Sequence, residues 1–310
     1  MNAKALVREW RQSVLQCILL LTVATFIDDS LRVVLNFDGH ALIVVQLAAG
    51  LPPFQSYRRT TKEILAGRCA LLLSIVIQAT GCLCVLGGAA APFGCELLIL
   101  WCVAHPVFYG QWNHAEFLAE TVSLIGGLLV LRGYLDKERS GARCRLAGRL
   151  LLPSLYAYHA AAALSKNLRD EYHVHEHTWA MYAYDACLVA GLVAAVLAVC
   201  LGLRSRIVAL ALALLNLGVV FVEHPFWAYR GVTRRSQLPQ AYWNSPIIGE
   251  IGAGVAPDQY CDLHQYFFFQ GVSTTGALLL LAYHGPGDHA VQSDENVVER
   301  LLPAVNRNKD

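Results

Sequence analysis

The sequence predicts an all-α fold, a polytopic bundle of about eight transmembrane helices, on three observations. Hydrophobic residues make up 56% of the 310 residues and charged residues only 15%, a balance too apolar for a water-soluble domain of this length. Long apolar runs recur along the whole chain. The last of them begins near Tyr266 and stops at Gly285-Pro286-Gly287, a combination that ends a helix.

Each predicted span is an apolar run that approaches the roughly 20 residues needed to cross the hydrocarbon. The runs cover 12–27, 65–87, 92–109, 117–135, 150–164, 179–203, 207–227 and 264–284. Because 150–164 is short, the count ranges from seven to nine. A further run at 41–51 is too short to span and stops at Pro52-Pro53, so we expect an interfacial or re-entrant segment there.

The basic residues predict an orientation. If both chain ends lie on one side, that side also receives the connections after the fourth and sixth runs. The positive-inside rule makes that side cytoplasmic or its topological equivalent. The basic residues of these connections are Arg132, Lys137, Arg139, Arg143, Arg145, Arg149, Arg204 and Arg206. Arg58, Arg59 and Lys62 oppose this assignment from the other face. The first run lacks a small-residue cleavage site and reads as a signal anchor.

The chain is predicted to form a single membrane-embedded helical domain over 1–284. Its longest connection, 228–263, contains several prolines and glycines, and we expect it to serve as a docking loop on the far face. Residues 285–310 form a polar C-terminal tail.

Charge and composition argue against nucleic acid as a partner. The net charge is +1, and the arginines are scattered between apolar runs rather than gathered on one face. Most of the ten cysteines lie inside apolar runs, where a thiol behaves as a small hydrophobe, so we expect neither a disulfide framework nor a thiolate metal site.

No motif for nucleotide binding, nucleophilic hydrolysis or zinc-dependent hydrolysis occurs, so we expect no catalytic residues, no cofactor and no metal. His114, Glu116 and Glu120 in one helix, with Glu223-His224 at the end of another, raise a metal hypothesis. The Glu-x-x-His pairs typical of carboxylate-bridged metals are absent, which argues against it. Three alternating histidines, His173, His175 and His177, are interpreted as a solvated loop.

Charges at membrane depth mark the candidate contact residues. Asp28, Asp29 and Arg32 follow the first span, and Asp28 lies one helical turn from Arg32, so an ion pair within the helix is feasible. Either this is an interfacial helix end or it is a charged rim around a cavity. Glu120 lies within an apolar run and raises the same question of a partner.

Small and polar residues in the last span predict helix packing. Gln270, Ser273 and Gly276 recur at three-residue spacing and so share one face, as expected where helices pack closely in lipid. The Gly126-Gly127 pair in the fourth span predicts a similar close approach.

Four sequence blocks resemble the surfeit locus protein 4 family of endoplasmic reticulum cargo receptors, which are related to DoxX-like membrane proteins. In order, the blocks are Thr25-Phe26-Ile27-Asp28-Asp29-Ser30-Leu31-Arg32, then Gln78-Ala79-Thr80-Gly81-Cys82, then Gly126-Gly127-Leu128-Leu129-Val130-Leu131, then Phe268-Phe269-Gln270 through Gly285-Pro286-Gly287. The resemblance implies a non-enzymatic receptor that gathers secretory cargo in the lumen and contacts coat proteins in the cytosol. It also implies partner contacts at Asp28, Asp29, Arg32, Glu120 and Gln270.

The chain departs from the family pattern at informative positions. Ser30 stands where the family has Gly, and Glu120-Thr121 stands where it has Arg-Asn. If the family's arginine answers the acidic pair, Asp28 and Asp29 need another partner here, either Arg32 or a different subunit. The family's dilysine retrieval signal is also missing, because Arg307 and Asn308 occupy its positions.

Two functions therefore remain. The first is a non-enzymatic cargo receptor of the endoplasmic reticulum or early secretory membrane, whose partners are lipids, secretory cargo and coat proteins. The alternative is an accessory subunit of a large membrane complex, such as a respiratory complex of the mitochondrial inner membrane, which would explain acidic residues that need basic partners. A third possibility, quinone chemistry, rests on fold analogy alone.

Overall fold

The computed structural model describes residues 3–48, 60–136, 139–170, 179–231, 260–287 and 289–291. All regular structure in these ranges is helical, which confirms the predicted fold class. The helices are α1 Ala3–Thr22, α2 Ala24–Leu35, α3 Phe37–Ala48, α4 Thr61–Gly87, α5 Ala91–Phe108, α6 Ala115–Leu135, α7 Arg139–Leu151, α8 Ser154–Asp170, α9 Trp179–Leu201, α10 Ser205–Glu223 and α11 Tyr260–His284, with a 3-10 turn at Phe226–Tyr229.

Among the described residues, 6 helices are long and apolar enough to cross a membrane, namely α4, α5, α6, α9, α10 and α11. The predicted spans 12–27 and 150–164 differ from these, because each covers two shorter helices. One breaks at Val23, between α1 and α2, and the other at Pro153, between α7 and α8. The short run at 41–51 falls largely in α3, whose 12 residues are too few to span. Most of the docking loop and of the tail lies outside the described residues.

The break between α1 and α2 is stabilised by α11. The backbone N–H of Thr25 donates to Oγ of Ser273 at 2.9 Å, so the amide freed by the break has a partner inside the bundle. One turn along α11, a Cβ on Gly276 would overlap the backbone N of Thr22. The glycine is needed because only its hydrogen leaves room for the broken chain to approach α11.

The break between α7 and α8 is stabilised in the same way by α6. The backbone N–H of Leu155 donates to Oγ of Ser123 at 3.0 Å. A Cβ on Gly126 would overlap the backbone N of Leu152. In both places a serine hydroxyl oxygen accepts a hydrogen bond from the freed amide. The glycine three residues later leaves room for the broken chain to approach.

The two halves of the protein repeat one helical plan. Helices α6 and α11 share the pattern Phe-x4-Val-Ser-x2-Gly-x-Leu-Leu-x-Leu, which starts at Phe117 and at Phe267. A His-Pro pair ends α5 and follows α10, and each histidine stacks on the corresponding phenylalanine. The ring centroids of His105 and Phe117 lie 5.5 Å apart at 26°, and those of His224 and Phe267 lie 5.5 Å apart at 26°.

Helices α6 and α11 meet between the halves. A Cβ on Gly127 would overlap that of Ala277, and these residues hold equivalent positions in the shared pattern. The first half thus consists of α1, α2, α4, α5 and α6, and the second consists of α7 to α11. Helix α3 is an addition to the first half, packed on α4.

Arginine side chains donate hydrogen bonds to the turn that follows α11. The guanidinium of Arg149, almost fully buried on α7, donates to the carbonyl oxygens of Pro286 at 2.8 Å and His289 at 2.7 Å. Arg206 donates to the carbonyl oxygen of His284 at 3.1 Å, and the hydroxyl of Tyr134 donates to that of Gly285. Terminal helix carbonyls lack intrahelical partners and carry negative partial charge, so cationic donors stabilise this end.

Replacing Gly276 with Ala should destabilise the protein by about 1–3 kcal/mol, because the added methyl group overlaps fixed backbone. Gly218→Ala on α10 is the matched control, because nothing lies within 4 Å of its Cβ position. The control should be neutral or stabilising, since alanine favours helix. Thermal unfolding in detergent measures both, and equal melting temperatures for the two variants would contradict the close approach at α11.

Arg149→Gln should loosen the turn after α11, because two charge-assisted hydrogen bonds to its carbonyls are lost, each worth about 1.5–3 kcal/mol. Hydrogen exchange of peptides covering 284–291 should become faster, while exchange in α4 stays unchanged. The exposed Arg143 on the same helix is the control, and Arg143→Gln should leave exchange at 284–291 as in the wild type.

Candidate functional site

A buried ion-pair cluster centred on Arg32 lies on α2. Its Nε donates to Oδ2 of Asp28 at 2.8 Å, and its Nη2 donates to Oδ1 of Asp29 at 3.0 Å. All three side chains are buried. The spacing of three and four residues places both carboxylates on the face of the helix that carries Arg32. The chain thus supplies a partner for its acidic pair.

Two glutamines from distant helices complete the hydrogen bonds of the acidic pair. Gln78 on α4 donates from Nε2 to Oδ2 of Asp29 at 2.9 Å. Gln265 on α11 donates from Nε2 to Oδ1 of Asp28 at 2.6 Å. The guanidinium also lies 5.1 Å from the ring centroid of Tyr266, within range of a cation–π interaction. These contacts offset the cost of burying charge and tie α2 to α4 and α11.

The cluster reaches the surface through Asp262 at the start of α11. Oδ2 of Asp262 lies 3.5 Å from Nη1 of Arg32 and 3.9 Å from Nε2 of His40, and its side chain is 44% exposed. His40 on α3 also meets the hydroxyl of Tyr109, with 3.4 Å between that oxygen and Nδ1. Three carboxyl groups therefore share one guanidinium. Burial raises the pKa of Asp28 above its ordinary value, although Arg32 opposes this shift. The excess of negative charge therefore rests on Asp29 and Asp262 together against one guanidinium.

Burial and the carboxylates act in opposite directions on the two basic groups of this cluster. Burial alone would lower the pKa of Arg32, but Asp29, Asp262 and Asp28 raise it above its ordinary value. Arg32 therefore keeps its charge. Burial lowers the pKa of His40 below its ordinary value, although Asp262 opposes this shift. The neutral form of His40 is favoured near pH 7, so it does not cancel the negative excess.

A small cavity of about 20 Å³ lies behind Asp29, between α2, α4, α5, α6 and α11. Its wall includes Asp29, Gln78, His105, Thr121 and Tyr266. Oε1 of Gln78 and Nδ1 of His105 are buried without a hydrogen-bond partner in the described ranges. The volume corresponds to about one water molecule, so the cavity is too small for an organic ligand in this conformation.

Glu120 and Gln270 occupy equivalent positions on α6 and α11, and both are buried. Within the described part of the chain, Oε2 of Glu120 and both terminal atoms of the Gln270 amide have no hydrogen-bond partner. The structure brings together Asp28, Asp29 and Arg32 from the predicted contact set. In the ranges that the structure describes, no ion pair joins Glu120 to Arg32, and the Gln270 amide has no hydrogen-bond partner.

Sequence reasoning missed the residues that close the cluster. Gln265, Asp262 and His40 are far from Arg32 along the chain or separated from it by a helix boundary, and nothing local marks them as partners. Gln78 could have been predicted as a contact residue, because an amide inside an apolar run needs a polar partner within the bundle.

The described residues hold no group of three or more His, Cys, Asp or Glu side chains arranged to bind a metal ion. Of the predicted candidates, His224 instead pairs with His264, and their Nδ1 atoms lie 3.2 Å apart. The loop with His173, His175 and His177 is outside the described residues.

Comparisons of this chain with family models, curated proteins and solved structures found no match. The case for its function therefore depends on the geometry above and on the sequence resemblance.

Replacing Arg32 with Gln should destabilise the protein by about 3–5 kcal/mol, because two buried carboxylates lose their cation. Adding Asp28→Asn and Asp29→Asn should restore much of this loss, since the remaining carboxylate, Asp262, is half-exposed and reaches solvent. Thermal unfolding in detergent measures both.

Arg68→Gln is the control for that experiment. Arg68 forms a solvent-exposed pair with Asp38 at 2.7 Å, so its loss should cost about 0–1 kcal/mol. A single Arg32 variant as stable as this control would show that the buried pair contributes nothing.

Proposed function

We propose that this integral membrane protein is a non-enzymatic receptor that binds protein partners at the Arg32 cluster, as a cargo receptor of the early secretory pathway does. The observation that carries the proposal is the cluster's excess negative charge, which opens to the surface at the half-exposed Asp262. Such a rim favours a partner with a basic surface, because charge complementarity speeds association and selects among partners.

The position of the cluster supports this proposal. Asp262 lies at the start of α11. The turn to which Arg149 and Arg206 donate hydrogen bonds lies at the other end of the same helix, roughly 30 Å away at 1.5 Å per residue. The arginine-rich end is cytoplasmic under the positive-inside rule, so the acidic rim faces the opposite compartment. A receptor needs this arrangement, with soluble cargo on one face and coat proteins on the other.

The alternative, an accessory subunit of a large membrane complex, receives less support. It was motivated by acidic residues that needed basic partners from neighbouring subunits. Arg32 already pairs with Asp28 and Asp29, so these two carboxylates do not call for a neighbouring subunit. Glu120 is buried, and its Oε2 has no hydrogen-bond partner in the described part of the chain, so this residue still fits the alternative.

The proposal is tested by quantifying the proteins that copurify with tagged wild type and variants after gentle detergent extraction. Asp262→Asn removes charge at the rim and should lower the recovery of soluble secretory proteins several-fold. Asp38→Asn is the matched control, because Asp38 is an exposed carboxylate that pairs with Arg68 away from the cluster.

Equal recovery of secretory proteins with Asp262→Asn and Asp38→Asn would overturn the rim as the binding site. Respiratory subunits in place of secretory proteins would decide for the accessory-subunit alternative. Melting temperatures of both variants, measured in the same detergent, show whether a lost partner reflects a lost fold.

A further inference from the structure

A second, much larger cavity of about 500 Å³ lies between α3, α4 and α5. We call it the α3–α4 groove. Its walls are mainly apolar, and Glu63 is the charged residue of the lining. The apolar side chains come from Val44, Val45, Ala66, Ala70, Val107 and Phe108. None of these residues belongs to the Arg32 cluster.

The groove exists because α3 packs on α4 at Gly67 and Leu71, and small side chains leave the space beside this contact open. A Cβ on Gly67 would lie 2.6 Å from Cγ2 of Val45 and 3.1 Å from the carbonyl oxygen of Ala41, so α3 packs directly on this glycine. The solvent-exposed ion pair of Arg68 with Asp38, at 2.7 Å, also joins the two helices there. Ala66 and Ala70, on either side along α4, are too short to fill the space.

The groove begins at the helix end and extends into the hydrocarbon. Glu63 lies in the first turn of α4, where it caps the helix with Thr60. Ala70 lies roughly 10 Å deeper at 1.5 Å per residue. Val107 is 72% exposed, so the groove also opens sideways toward lipid. A ligand can therefore enter from the bilayer.

We propose that the α3–α4 groove binds an acyl chain of a glycerophospholipid whose head group carries an ammonium ion. Ligand sites of 300–1,000 Å³ are typically apolar with a few polar groups that fix orientation, and this groove has that composition. The chain of the lipid packs along the alanines and valines, and its ammonium meets the carboxylate of Glu63. One oxygen of Glu63 accepts from the Thr60 amide at 2.8 Å, and the carboxylate attracts the ammonium of the ligand by its charge. This inference is independent of the proposed receptor function.

The proposal is tested by measuring the phospholipid that stays with the purified protein after extended detergent washing. Wild type should retain about one equivalent of phosphatidylcholine or phosphatidylethanolamine. Ala70→Phe and Ala66→Phe fill the groove and should each reduce retention at least five-fold. Ala194→Phe adds the same side chain to an exposed position on α9 and should retain lipid as the wild type does.

The head-group part is tested separately with delipidated protein and added lipid. Phosphatidylcholine should raise the melting temperature of wild type more than phosphatidylglycerol does, and Glu63→Gln should abolish that difference. Equal shifts for both lipids in wild type would overturn the role of Glu63.

Two retention outcomes overturn the site itself. Equal lipid content in Ala70→Phe and wild type means that only annular lipid is retained. Wild type free of phospholipid after washing means that something else, such as residues 49–59 of this chain, fills the groove.

Discussion

The need to satisfy buried backbone amides is the constraint on which this architecture depends. A helix that breaks inside the bundle frees amides that have no intrahelical acceptor, so another helix must supply one. Ser273 does this for the break after Thr22, and Ser123 does it for the break after Leu151. The glycine three residues beyond each serine brings the broken chain close enough. These two contacts explain why α6 and α11 are central and why they share a sequence pattern.

The Arg32 cluster is a departure from the repeat. If Thr25 of α2 corresponds to Leu155 of α8, then Tyr158, His159 and Ala162 stand in the second half where the charged triad of α2 stands in the first. The triad is thus specific to one half. Packing alone can be achieved without it, since the second half packs around apolar and aromatic residues instead. A buried charge cluster that the shared fold does not need is a reasonable place to expect partner binding.

Hydropathy predicted the single-helix spans well, because length and apolar composition are local properties. The run 65–87 corresponds to α4, which extends over Thr61–Gly87. The break at Val23 had no such signal, since valine does not interrupt helices; its cause is Ser273, far away in sequence. Pro153, by contrast, could have been recognised as a break. In the candidate site, Arg32 was identified from helical spacing, whereas Gln265 and Asp262 join the cluster only through tertiary packing, which no local pattern encodes.

The link between α2 and α11 also bears on how the protein is made. The contacts of Thr25 with Ser273 and of Asp28 with Gln265 join residues 248 and 237 positions apart. At a synthesis rate of about 5–20 residues per second, α2 emerges roughly 12–50 s before α11 exists. Throughout that interval the Thr25 amide lacks its acceptor on Ser273, and the Asp28 carboxylate lacks its hydrogen bond from Gln265. The first half must therefore be inserted while incomplete, and it reaches its final packing only when the last membrane helix arrives.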